Sequence, residues 1–236
     1  MIRSLLVMLA AVIFVGESAA GASIVVPVSE DAAILARDGS PGLAASNFGI
    51  FNYLYAGSYD PDFSSYSRSL MKFVLPTPAA GETLQSATLR LVVGQEFPQT
   101  KVFDFFRVDD NWTEGGVTWL SAPQPQPLQS PLASFDSAIG LGAGPPPRNS
   151  LTFDITAAVE DELSIDSTRT LSILWKEHDE SGACCNRLDA YSKELAVLPT
   201  NVPQIILSFV PEPSIVAHLA MLVILPLVRR PHRRTV

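Results

Sequence analysis

Residues 84–93 read Leu84-Gln85-Ser86-Ala87-Thr88-Leu89-Arg90-Leu91-Val92-Val93. Leu89, Leu91 and Val93 fall on one side of this stretch, Thr88, Arg90 and Val92 on the other. A period of two marks a strand with one buried face. Working outward, similar short runs occupy 24–28, 31–36, 52–56, 67–75, 101–108, 117–120, 151–155, 169–176, 188–192 and 204–209. Gly and Pro turns punctuate them. Many short strands so divided predict an all-β fold, a jelly-roll β-sandwich. One short helix is expected, from Ala157 to Leu163, with Thr156 as its cap and Glu160, Asp161 and Glu162 in its early turns. Residues 121–149 are rich in Pro, Gln, Gly and Ser. The runs at 123–127 and 145–147 cannot form ladders, so a long surface loop is expected there. Strand patterning resumes directly after it, which keeps 23–210 a single domain.

Composition narrows the function. The chain has 236 residues, of which 47% are hydrophobic and 17% charged, with 16 Lys+Arg against 24 Asp+Glu. That is too apolar for a disordered chain. A net charge of −8 argues against a nucleic-acid partner, which needs a basic face for phosphate. Two Cys are too few for a disulfide scaffold or a Cys-rich zinc module.

Both ends carry addresses. Arg3, an apolar stretch from Leu5 to Val15 and the small-x-small Ala20-Gly21-Ala22 read as a signal peptide over 1–22, a substrate for signal peptidase. At the other end, over 211–236, Pro211-Glu212-Pro213-Ser214 precedes an apolar run at 215–228 and the cluster Arg229, Arg230, His232, Arg233 and Arg234. The 14 residues of that run, at ~1.5 Å each, reach about 21 Å, short of the ~30 Å hydrocarbon core. The segment suits a transient membrane stop held by arginines on the cytoplasmic side. In its three parts and their order, this tail resembles the PEP-CTERM sorting signal. The resemblance implies recognition of Pro211, Glu212 and Pro213 by an exosortase. It also implies delivery to the outer cell surface or extracellular matrix of a Gram-negative-type bacterium. Setting aside 1–22 (Arg3, Glu17) and 211–236 (four Arg, Glu212) leaves 11 basic and 22 acidic side chains, a net −11.

The middle of the chain carries a second set of phrases. Asp31-Ala32-Ala33-Ile34 opens a strand, Arg68-Ser69-Leu70-Met71-Lys72-Phe73 forms another, and Ser86-Ala87-Thr88-Leu89-Arg90-Leu91 follows. Next come Trp112-Thr113-Glu114-Gly115-Gly116-Val117-Thr118-Trp119, Phe153-Asp154-Ile155-Thr156 and Tyr191-Ser192-Lys193-Glu194. In this order they resemble the DNRLRE domain, also classed as carbohydrate-binding module family 96, over most of 31–209. Ser192-Lys193-Glu194 stands where Ser-Arg-Glu is more usual, and the Pro-rich insertion is long. The resemblance implies an exported jelly-roll sandwich and, for some members, polysaccharide binding.

Catalytic residues are not evident. His178 is the one His between the two terminal segments, and no Gly-x-Ser-x-Gly elbow occurs. Asp109, Asp110 and Glu114 are paired carboxylates, but without a cleft they are no glycosidase signature. Carbohydrate binding uses aromatic faces with polar tips. The candidates are Tyr53, Tyr55 and Tyr59, with Phe63 and Tyr66 around the same loop and Asp60, Asp62 and Arg68 nearby. Tyr53 and Tyr55 share a strand face; they also fit a reading as core or edge residues. Trp112 and Trp119 flank Gly115-Gly116, which suggests a hairpin turn, with Trp119 packing near the Ala87-Leu89-Leu91 strand. For a metal, calcium fits best, with Asp31, Asp109, Asp110 and Glu114 as oxygen donors. The same carboxylates also fit a solvated surface. Cys184 and Cys185 are neighbours: a vicinal disulfide, free thiols or a bridge between chains all remain open. The sequence supports three functions in order: polysaccharide binding, a structural or adhesive matrix protein, and a polysaccharide-degrading enzyme.

Overall fold

The computed structural model describes residues 22–58, 65–96, 101–137, 150–165, 168–180, 187–195 and 200–212. Tyr59, Asp60, Asp62, Phe63, the Cys pair, residues 138–149, residues 1–21 and the chain beyond Glu212 lie outside the described residues. Packing separates a large body, 23–77 with 84–208, from a small unit whose described residues are 22, 78–83 and 209–212. In the small unit Gly81 turns the chain at φ +77°, and its carbonyl accepts the Glu212 N–H at 2.6 Å.

The strands are β1 (Ala22–Pro27), β2 (Glu30–Arg37), β3 (Tyr53–Ala56), β4 (Ser65–Val74), β5 (Glu82–Glu96), β6 (Val102–Val108), β7 (Ala133–Asp136), β8 (Ser150–Asp154), β9 (Thr170–Glu177), β10 (Leu188–Tyr191) and β11 (Gln204–Pro211). The helices are α1 (Pro41–Ala44) and α2 (Thr156–Ile165), and a 3-10 turn spans Lys193–Leu195. One sheet runs β1-β11-β5-β10-β3, with β8 also on β5. The other runs β2-β4-β9-β6-β7. The fold is the expected all-β sandwich.

Alternation sorts the side chains as the pleat requires. Ala87, Leu89, Leu91 and Val93 of β5 are buried. Phe153 and Leu151 of β8 pair with Leu89 and Leu91, while Leu54 and Ala56 of β3 pair with Ala190 and Leu188 of β10. From the second sheet Met71, Phe73, Ile173, Trp175 and Phe105 are fully buried. Phe105 stacks on Trp175 at 5.8 Å and meets Phe153 at 4.5 Å. These contacts join the two inner faces into one core.

Three local readings need correction. Residues 117–120 form no strand, and no hairpin flanks Gly115-Gly116. The segment is a turn closed by Thr113, whose carbonyl accepts the N–H groups of Gly116 (3.0 Å) and Val117 (2.9 Å). Residues 121–149 contain β7, which pairs with β6 beyond the prolines. Thr156 lies inside α2: Asp154 Oδ1 takes its N–H at 2.9 Å, while its hydroxyl accepts from Ala87 N at 2.9 Å.

Candidate functional site: an aromatic sheet face and a carboxylate cluster

Pairing of β3 with β10 sets Tyr53 opposite Tyr191 and Tyr55 opposite Asp189. Their neighbours Leu54, Ala56, Leu188 and Ala190 are buried, so the tyrosines stand on the outer face, half-buried. Tyr53 lies 5.5 Å from Tyr191 at 31° and 6.4 Å from Tyr55 at 32°, ring centroid to centroid. Phe51 meets Tyr55 edge-on at 6.3 Å and Phe48 at 4.9 Å. The result is a row of aromatic rings along the edge strand.

Gly94 makes room for it. A Cβ there would sit 2.7 Å from Tyr53 Cε1 and 3.3 Å from Tyr191 Cε1. The β5–β10 register shifts at this point, from Asp189↔Gln95 to Ala190↔Val93. A bulge therefore turns a residue without a side chain under the two rings.

Polar groups frame the row. Arg187 stacks over Tyr55 at 4.5 Å and binds both Asp189 oxygens, at 2.7 and 2.9 Å. Burial pushes the Asp189 carboxyl up to about 6, against the pull of Arg187. Burial also raises the Tyr55 and Tyr191 hydroxyls, so both are O–H donors at neutral pH.

The structure divides the residues grouped by sequence proximity. Tyr53 and Tyr55 are together. Tyr59 falls outside the described residues. Arg68 and Tyr66 belong to β4, in the other sheet. Arg68 is committed to a network, with Glu180 at 2.7 and 2.6 Å, Gln124 at 2.5 Å and the Trp119 ring at 4.2 Å. Trp119 therefore lies outside the second sheet, against Arg68 and Tyr66, instead of beside β5. Trp112 is 5% exposed and packs with Ala32, Ile34, Leu70, Val108, Val117, Ala122 and Leu174. Its indole N–H donates to Ser172 Oγ at 3.0 Å, and Lys72 lies 4.6 Å over its ring.

Sequence reasoning missed Tyr191, Arg187 and Glu194. Alternation along 188–191, once recognised as a strand, puts Asp189 and Tyr191 on one face. The phrase Tyr191-Ser192-Lys193-Glu194 was visible, but nothing in it said which strand it would pair with.

The expected metal donors also separate. Asp109 Oδ1 accepts the Asn111 N–H at 2.9 Å in the loop after β6. Asp31 and Glu114 instead meet Glu194, with one carboxylate oxygen of each within 4.8 Å of the others. Asp109 and Asp110 are not in this group. Lys193 Nζ contacts Glu114 at 2.7 and 2.5 Å and Glu194 at 2.8 Å. Burial alone would lower the Lys193 ammonium, but the two carboxylates raise it above its ordinary value. Burial pushes Asp31 well up, with Glu194 adding to it. Glu30 runs the other way: burial raises it, and the Glu114 N–H, Lys72 and Lys193 together hold it below its usual value. Oxygen-only donors of this kind suit a hard cation.

The sequence model of carbohydrate-binding module family 96 matches residues 27–208. No curated protein matches the chain.

Proposed function

Since the chain belongs to carbohydrate-binding module family 96, we propose that it is a non-catalytic module that holds a polysaccharide of the extracellular matrix or cell envelope against the Tyr53–Tyr55–Tyr191 face. The observation that carries this reading is the row of half-buried rings over Gly94. Flat sugar faces stack on aromatic rings, and tyrosine hydroxyls and a guanidinium offer hydrogen bonds at the edges. The rings are already ordered by strand pairing, so little side-chain entropy is lost on binding.

The export part of the proposal rests on sequence order. A charged, apolar, small-residue start supports signal peptidase processing. The Pro211-Glu212-Pro213 motif, the apolar 215–228 run and the arginine cluster support exosortase sorting to the outer surface. Binding of the purified protein to a glycan array tests the function. Reproducible signal for one polysaccharide class, lost in Tyr53→Ala, is expected. Silence of the folded protein would favour a second reading, a structural or adhesive matrix protein. That reading is favoured by the adjacent exposed pair Ile50 and Phe51, 81% and 36% exposed, which extends the aromatic row as an apolar patch.

A further inference from the structure

The carboxylate cluster is not used by the sugar-binding reading and stands independently of it. Asp31 is fully buried at the start of β2. Its Oδ2 accepts the Lys193 N–H at 2.9 Å, while its Oδ1 has no hydrogen-bond partner. Glu194 Oε2 is buried and unpartnered in the same way. Lys193 Nζ answers Glu114 and the other Glu194 oxygen. One ammonium thus serves Glu114 and one Glu194 oxygen in a three-carboxylate group and leaves Asp31 Oδ1 and Glu194 Oε2 without a donor. The Asp31 and Glu194 carboxyls lie against each other, with no N–H or O–H donor from elsewhere on these two oxygens. Two buried carboxyl groups so placed are costly to ionise together, and a cation is their natural complement.

We propose that Asp31, Glu114 and Glu194 form a calcium site, with Asp31 Oδ1 and Glu194 Oε2 as ligands and Lys193 as the ammonium that the ion displaces. The donors are all carboxylate oxygens, which favours calcium over zinc. Three carboxylates supply three to six of the ~6–8 oxygens calcium takes, and water completes the set. Lys193 has a long, partly exposed stem and can turn to solvent.

The ion would tie three remote segments together: the start of β2, the loop carrying Trp112, and the 3-10 turn after β10. That turn is also bonded to the aromatic row. Ser192 Oγ donates to the Phe51 carbonyl at 2.6 Å and accepts the Glu194 N–H at 3.2 Å, and Ser192 N–H donates to Asn52 at 3.1 Å. Calcium would therefore brace the segment that leads into Tyr53.

The test is calcium titration of the purified, chelator-treated protein, followed by calorimetry and by thermal unfolding, with no glycan present. A saturable heat is expected, together with a rise in Tm that grows with calcium concentration. Glu114→Gln and Glu194→Gln should each weaken calcium binding about tenfold or more, and Lys193→Met should tighten it. These variants keep the proposal testable should Asp31→Asn fail to fold. Absence of heat and of any Tm shift in the wild type overturns the site. Unchanged calcium affinity in both glutamate variants overturns it too, because the ion would then lie elsewhere. Unchanged affinity in Lys193→Met overturns the displacement.

Discussion

The outer faces of the two sheets both carry aromatic side chains, and the chain treats them differently. Outside the β2-β4-β9-β6-β7 sheet, the loop carrying Trp112 and Trp119 folds over Ala32, Ile34, Leu70 and Leu174 and builds a second, smaller core. There Lys72 and Arg68 lie against indole rings and are tied to Glu30 and Glu180. Outside β3 and β10 the tyrosines stay half-buried, and their rings meet each other, Phe51 and Arg187. One aromatic face is covered by a loop and serves stability; the other is the face proposed to hold the polysaccharide. Residue type does not separate them; what lies above the ring does.

That contrast can be broken from either side. The largest effect is expected from Trp112→Ala. It empties the outer core and strips the Ser172 and Lys72 contacts, at about 3–5 kcal/mol of stability. Urea unfolding should show the loss, while glycan affinity of the remaining folded fraction stays unchanged.

Next in size is a pH effect at Asp189. Its carboxyl is raised from an ordinary 3.8 to about 6. The native state therefore binds this proton more tightly than the unfolded chain. Stability from this group falls as pH rises from about 4 to about 6, and the full cost, about 3 kcal/mol at most, applies above that. Asp189→Asn removes the titration. Its stability relative to wild type should be greatest at pH 7 and decline as pH drops toward 4. A pH-independent difference would contradict this assignment.

A smaller effect is expected from Gly94→Ala. The new methyl meets ring atoms of Tyr53 at 2.7 Å, not backbone, so the rings can yield. Stability should fall by about 1 kcal/mol, but glycan binding should weaken several-fold as Tyr53 and Tyr191 tilt. At Gly49 the outcome differs. A Cβ there would strike the Glu114 carbonyl oxygen, and a backbone atom cannot turn aside. Gly49→Ala should cost stability, read as a lower Tm, as the segment carrying Phe48 and Phe51 is pushed off Glu114.

Much of the fold was legible because alternation is local. Leu89, Leu91 and Val93 announce β5 without reference to any partner, and most of the strands lie within a few residues of the runs read from the sequence. The exceptions have physical causes. β7 is four residues that follow closely on Pro131 and owes its existence to the β6 edge. Val117–Leu120 has strand-like residues, but its N–H groups are taken locally or by α1: Val117 donates to the Thr113 carbonyl, Thr118 to Ser121 Oγ and Leu120 to the Ala44 carbonyl. The site was half legible. Tyr53 and Tyr55 share a face by parity alone. Tyr66 and Arg68 lie close in sequence, yet the chain crosses to the other sheet between β3 and β4. Glu194 joins Asp31 from 163 residues away, a contact no spacing rule encodes.

The most direct measurement is the affinity of wild type and the Tyr53→Ala, Tyr191→Ala double variant for the polysaccharide that the array selects, with Tm recorded on the same samples. The account predicts a loss of tenfold or more, equivalent to at least about 1.4 kcal/mol, with Tm nearly unchanged because both rings lie outside the core. Equal affinity in the folded double variant would contradict it, and would move the binding face away from β3 and β10.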